Sequence, residues 1–169
     1  MDREHFWRLI DESRPADGNC VDHALALIER LSAQNLEEIV SFAQHFASLV
    51  IELDRASVTA IAAMVFPLLS DDGFTYFIGW AILQGKQVVE DLLHAPERVA
   101  RHFPPHVVPS CELAGAIAMR AYHRKTGKWD IPIDKSSLPK PIDEPPLSDD
   151  EIRERFPDLW RRFITHEEE

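Results

Sequence analysis

An all-α fold is predicted from two patterns along the chain and one property of the whole. Apolar residues recur at helical spacing through successive segments, and Ser, Asn and Pro stand where helices begin. A hydrophobic content of 45% over 169 residues is enough for one proper core without disulfides or a structural metal. The expected architecture is a single compact multi-helix bundle over residues 1–127, a proline-rich arm over 128–147 and short helical turns over 148–164.

Phe6, Leu9 and Ile10 predict a first helix from Glu4 to about Ser13, broken by Pro15, Asp17 and Gly18. Val21, Ala24, Leu25, Ile28 and Leu31 share one face of a second helix. Asn35 followed by Glu38 reads as the cap of a third, which carries Leu36, Ile39, Val40, Ala43, Phe46 and Val50. From Ser57 to Leu69 the chain is apolar nearly all round, so this helix should be largely buried and should end or bend at Pro67. The next segment reads as one central helix from about Asp71 to His94, with Phe74, Phe77, Ile78, Ala81, Ile82, Gly85, Val88, Val89 and Leu92 on a wide apolar face.

Pro96 suits the first turn of a short helix through Phe103, and Pro104, Pro105 and Pro109 force an irregular connection. Ser110 is expected to cap an Ala-rich helix ending near Gly127. Five prolines between Trp129 and Pro146 exclude a long helix and allow at most a short strand around Ile131 and Ile133, so an extended arm across the bundle is expected. Ser148-Asp149-Asp150-Glu151 is a capping-box pattern, and Pro157 begins a turn that returns Leu159, Trp160 and Phe163 to apolar surface. Residues Glu167 to Glu169 are expected to fray, and no fixed-period repeat is found.

The 29 acidic and 18 basic side chains give a formal net charge of -11. Such a surface repels phosphate backbones, which argues against direct nucleic-acid binding, and it favours a protein partner with a basic surface. No apolar run reaches membrane-spanning length and no basic segment leads into an apolar one at the start, so no membrane role and a cytoplasmic location are expected. Cys20 and Cys111 belong to no paired-cysteine motif and are expected as reduced thiols. Sequence leaves the oligomeric state open.

Phe6-Trp7-Arg8-Leu9-Ile10-Asp11, then Ser70-Asp71-Asp72-Gly73-Phe74 with Gly79-Trp80 and Gln84-Gly85-Lys86, then Arg155-Phe156-Pro157-Asp158-Leu159-Trp160 occur in this order. Together they resemble domain of unknown function 4240, a mainly bacterial family, over most of the chain. The resemblance implies no activity, substrate or cofactor. It implies a divergent member, because Pro67-Leu68-Leu69 stands where relatives carry Gly-Gly-Cys, and Ile78 stands where they carry an arginine. If that arginine pairs with the aspartates or holds an anion in relatives, this chain has lost the interaction.

The candidate ligand or partner surface comprises Ser70, Asp71, Asp72, Tyr76, Trp80 and Lys86. A hydroxyl cap and two first-turn carboxylates account for Ser70, Asp71 and Asp72 as helix-starting residues, stabilising the helix by roughly 1 to 2 kcal/mol. As metal ligands or as acid and base, the aspartates would need further ligands or a partner that separates their pKa values, and none is visible. Trp80 reads as a packing residue and Lys86 with Glu90 as an exposed pair one turn apart. Cys20 with His23, and His102 with His106, have loose metal-ligand spacings that no second pair completes, so no metal and no cofactor are expected. Nucleophile elbows, phosphate-binding glycine loops and dinucleotide fingerprints are missing. The expected function is a non-catalytic regulatory or accessory module acting through protein contacts. The alternative is an enzyme or small-molecule binder with a cleft where the Asp71-Asp72 helix start meets Trp80.

Overall fold

The computed structural model describes residues 1–16, 18–66, 69–103 and 108–164. The fold is all-α. Its α-helices are α1 (Arg3–Glu12), α2 (Cys20–Ala33), α3 (Leu36–Leu53), α4 (Ala56–Val65), α5 (Asp71–Leu83), α6 (Lys86–His94), α7 (Ile117–Thr126), α8 (Asp149–Arg155) and α9 (Pro157–Phe163). Turns of 3-10 helix occupy Pro96–His102, Glu112–Ala116 and Lys135–Ser137, and the described residues contain no strand. The expected end or bend at Pro67, the connection through Pro104 and Pro105, His106 of the loose His102–His106 spacing and the expected fraying of Glu167 to Glu169 lie outside the described residues.

One apolar core unites the helices. Phe6 of α1 is fully buried and sets its ring 4.7 Å from Phe42 of α3, while Leu27, Ile39, Leu49, Ile61 and Phe77 are also fully enclosed. Each such side chain contributes about 1.5–3 kcal/mol relative to an exposed one. α2 and α7 lie side by side and run parallel: Cys20 meets Cys111, just before α7, at one end, and Glu29 pairs with Arg124 at the other.

Local chemistry starts the helices where expected. Asn35 Oδ1 accepts the Glu38 amide at 2.9 Å, and Ser148 forms a reciprocal capping box with Glu151. α4 lacks a side-chain cap from Arg55, and the amide of Ala56 instead donates to Glu144 of the arm at 3.1 Å. The arm lies across α3, where the Gln44 side chain both donates to the Asp134 carbonyl at 2.9 Å and accepts the Asp134 amide at 2.8 Å. That pair satisfies backbone groups which an extended segment would otherwise leave without a ladder.

Three expectations need correction. The central helix is two helices, because Gln84 and Gly85 separate α5 from α6 and Gly85 has φ 101°, a conformation open only to glycine without strain. The freed end is held from outside, with Arg14 donating to the Gln84 carbonyl at 2.8 Å while paired with Asp11 at 3.1 Å. Ser110 does not cap the Ala-rich helix. The Ala-rich segment opens as 3-10 turns without a side-chain cap, and the amide of Cys111 donates instead to the Tyr76 carbonyl of α5 at 3.0 Å.

Cys20 and Cys111 are the third correction: their sulfurs are bonded, with Cα atoms 6.0 Å apart across 91 residues of sequence. Parallel packing of α2 against α7 brings the first residue of one beside the approach to the other. No local spacing carries that information.

Candidate functional site

Ser70 accepts the Gly73 amide at 3.1 Å and so starts α5, and Asp71 and Asp72 stand in the first turn, exposed to solvent. Thr75 donates back to the Asp71 carbonyl at 3.0 Å. Tyr76 is half-buried one turn further on, and the charge of Glu112 pushes its phenol up from the ordinary value, with burial and Asp72 adding to the effect.

Trp80, one turn beyond Tyr76 on α5, is buried rather than open to solvent. It is 3% exposed, stacked 5.6 Å from Phe103 and 6.0 Å from Phe77, so the core encloses its indole. Ile78 is 2% exposed. Lys86 belongs to α6 and pairs with Glu90 at 3.6 Å across an exposed turn. The helix break therefore puts Lys86 and Glu90 on a different helix from Asp72.

Gly79 explains why α5 and the Glu112–Ala116 turns can touch. A Cβ there would lie 2.7 Å from the Ala114 Cβ and 3.1 Å from the Cys111 carbonyl oxygen. His23, buried at 3% exposure, donates from Nε2 to the Ile10 carbonyl at 2.8 Å. Burial holds its pKa below the ordinary value, and the ring thus ties α2 to α1. Among the described residues no three His, Cys, Asp or Glu side chains are grouped to hold a metal.

A polar cluster not anticipated from the sequence lies on α6. Asp91 is 3% exposed and accepts from His102 Nε2 at 2.6 Å, Arg101 at 2.7 Å and Gln87 at 3.0 Å. Burial alone would raise its pKa, but the hydrogen bonds from His102, Arg101 and Gln87 outweigh burial and hold the carboxyl below its ordinary value. The sequence signal was present, since Asp91 interrupts the apolar face made by Val88, Val89 and Leu92. The cluster fixes the 3-10 turns to α6, and Arg162 of α9 closes their far end by donating to the carbonyls of Ala100 at 2.8 Å and Phe103 at 3.2 Å.

Three hollows follow the arm. An open groove of about 500 Å³ lies between the first turns of α3, Tyr122 of α7 and the arm at Pro132 and Asp134. Leu36, 43% exposed, and half-buried Val40 supply its apolar floor, and its charged lining residues, Glu37 and Asp134, are both acidic. A second hollow of about 180 Å³, between Phe46, Met119 and Ile133, follows the same arm across α3 and α7. A third, of about 270 Å³, separates α4 from Ile142 and Leu147. None of Ser70, Asp71, Asp72, Tyr76, Trp80 and Lys86 lines any of these three.

No described helix is long and apolar enough to cross a membrane. No curated protein and no solved structure matches the chain. The family model described as "Protein of unknown function (DUF4240)" matches residues 1–124. That span holds α1 to α6 and most of α7, Gly79 at its close approach and the Gln84-Gly85-Lys86 break, and the chain therefore belongs to the DUF4240 family.

Proposed function

We propose that this domain is a non-catalytic accessory or regulatory module that works through protein contacts, and that the groove between α3, Tyr122 and the arm receives the partner. The observation that carries this reading is the pairing of an exposed apolar floor, Leu36 and Val40, with a rim whose charges are Glu37 and Asp134. Exposed apolar surface beside like-signed charge favours an occupant with apolar side chains flanked by Lys or Arg. The net charge of -11 steers the same class of partner at longer range. A cytoplasmic location is part of this reading.

Selection of peptides from a random display library against the purified chain tests it. Enriched peptides should carry Lys or Arg next to apolar residues, and Leu36→Glu should weaken them at least tenfold while Asp71→Asn with Asp72→Asn leaves them unchanged. Enriched peptides without basic residues, or equal binding to Leu36→Glu, would contradict the proposal.

A further inference from the structure

The pairing of Cys20 with Cys111 joins two parts of the fold that differ in access to solvent. Cys20, the first residue of α2, is partly exposed, whereas Cys111 is 3% exposed beneath α5. Cys20 is therefore the more accessible member of the pair. Disulfides are rare in reducing compartments, and those that form there are mostly transient or sensing.

We infer that Cys20 is a site of thiol–disulfide exchange with small-molecule thiols and disulfides, and that Cys111 is its resolving partner. In the reducing direction a small thiolate attacks Cys20 Sγ, forms a mixed disulfide there and expels the Cys111 sulfur, which takes a proton from water. A second small thiolate attacks the sulfur of the bound small thiol, releasing a small-molecule disulfide and leaving the Cys20 thiolate. Two electrons have then passed from two small thiols to the protein. In the oxidising direction Cys20 thiolate attacks a small-molecule disulfide and expels one small thiolate, which accepts the Cys111 proton. Cys111 then attacks Cys20 Sγ and expels the second.

Closing a bond between residues 91 apart removes much of the unfolded chain's freedom, which places this pair among the more stabilising loop lengths. The consequence reaches α5, because the Cys111 amide donates to the Tyr76 carbonyl and Gly79 abuts Ala114. Loss of the bond loosens the segment that carries Glu112 beside Tyr76. Redox state is thereby transmitted to the exposed start of α5.

The test equilibrates the full chain with graded ratios of reduced to oxidised glutathione, quenches exchange with acid, traps free thiols with an alkylating agent in denaturant and reads intact mass. The wild type should pass from no alkylated thiols to two as the ratio becomes more reducing, and its midpoint of thermal unfolding should fall by roughly 10 °C. Cys111→Ser should collect glutathione on Cys20, while Cys20→Ser should remain unmodified at Cys111 as long as it is folded. Two alkylatable thiols at every ratio, or none at any ratio, would overturn exchange. Equal modification of Cys111 in Cys20→Ser would overturn the assignment of the entry sulfur, and the wild-type titration stands independently of how either variant folds.

Discussion

Replacing Gly79 by alanine sets two opposing effects against each other at one position. Alanine favours a helix interior over glycine by about 1 kcal/mol, so an isolated α5 would be strengthened. In the folded chain the new methyl carbon would lie 2.7 Å from the Ala114 Cβ and 3.1 Å from the Cys111 carbonyl oxygen, and neither atom is the movable end of a flexible side chain. The Glu112–Ala116 turns must then retreat from α5, at an overpacking cost of about 1–3 kcal/mol. Retreat also strains the 3.0 Å bond from the Cys111 amide to the Tyr76 carbonyl, whose loss costs about 1 kcal/mol. Set against the propensity gain, Gly79→Ala should destabilise the chain by about 1–3 kcal/mol, measured by urea denaturation with the slope unchanged. Ala114→Gly in the same chain removes the closest obstacle, so the double-mutant cycle should show a favourable coupling of about 1 kcal/mol or more. A Gly79→Ala protein as stable as the wild type or more so, with additive effects in the cycle, would refute the close approach.

Three further outcomes follow from the same geometry. Asp91→Asn should cost about 1–3 kcal/mol near neutral pH, since His102 and Arg101 lose a charged acceptor. Because the folded-state pKa of Asp91 is lowered, its contribution is present above the ordinary value of 3.8 and is lost as pH falls through the folded value. The gap between wild type and variant in thermal unfolding should accordingly close below about pH 4. Gly85→Ala should cost about 1–3 kcal/mol in denaturant unfolding, because φ 101° strains any side chain and the added carbon would crowd Asp11 and Arg14 at 3.0 and 3.1 Å. Asp71→Asn with Asp72→Asn should lower stability by no more than about 1–2 kcal/mol, and this loss should shrink in high salt, as expected for first-turn charges on a helix dipole. A larger loss independent of salt would mean that these aspartates hold something more than a helix end.

How much of this was legible in the sequence depended on how far each signal reached along the chain. Asn35 with Glu38 and Ser148 with Glu151 are complete within four residues, and both caps form as the letters suggest. The broad apolar face beyond Asp71 was equally legible. Its interruption at Gln84-Gly85 was not, because glycine tolerates a helix as well as a break. Here the decision lies with Arg14, 70 residues away, which holds the free end. Ser110 looked like a cap, yet the neighbouring Cys111 amide had a better acceptor on α5. The bond between Cys20 and Cys111 likewise depends on α2 and α7 lying parallel, a property of the packed bundle. Asp91 was visible as a carboxylate among apolar neighbours, but two of its three donors, Arg101 and His102, sit ten and eleven residues ahead, beyond a helix end.

The central claim, that the arm groove and not the start of α5 receives a partner, is tested most directly by hydrogen exchange on the chain with and without a peptide selected against it. The account predicts slowed exchange in residues 36–44 and 119–137, with residues 70–80 unchanged. Protection centred on residues 70–80, with the groove exchanging as in the free chain, would contradict it and would return the site to Asp71 and Asp72.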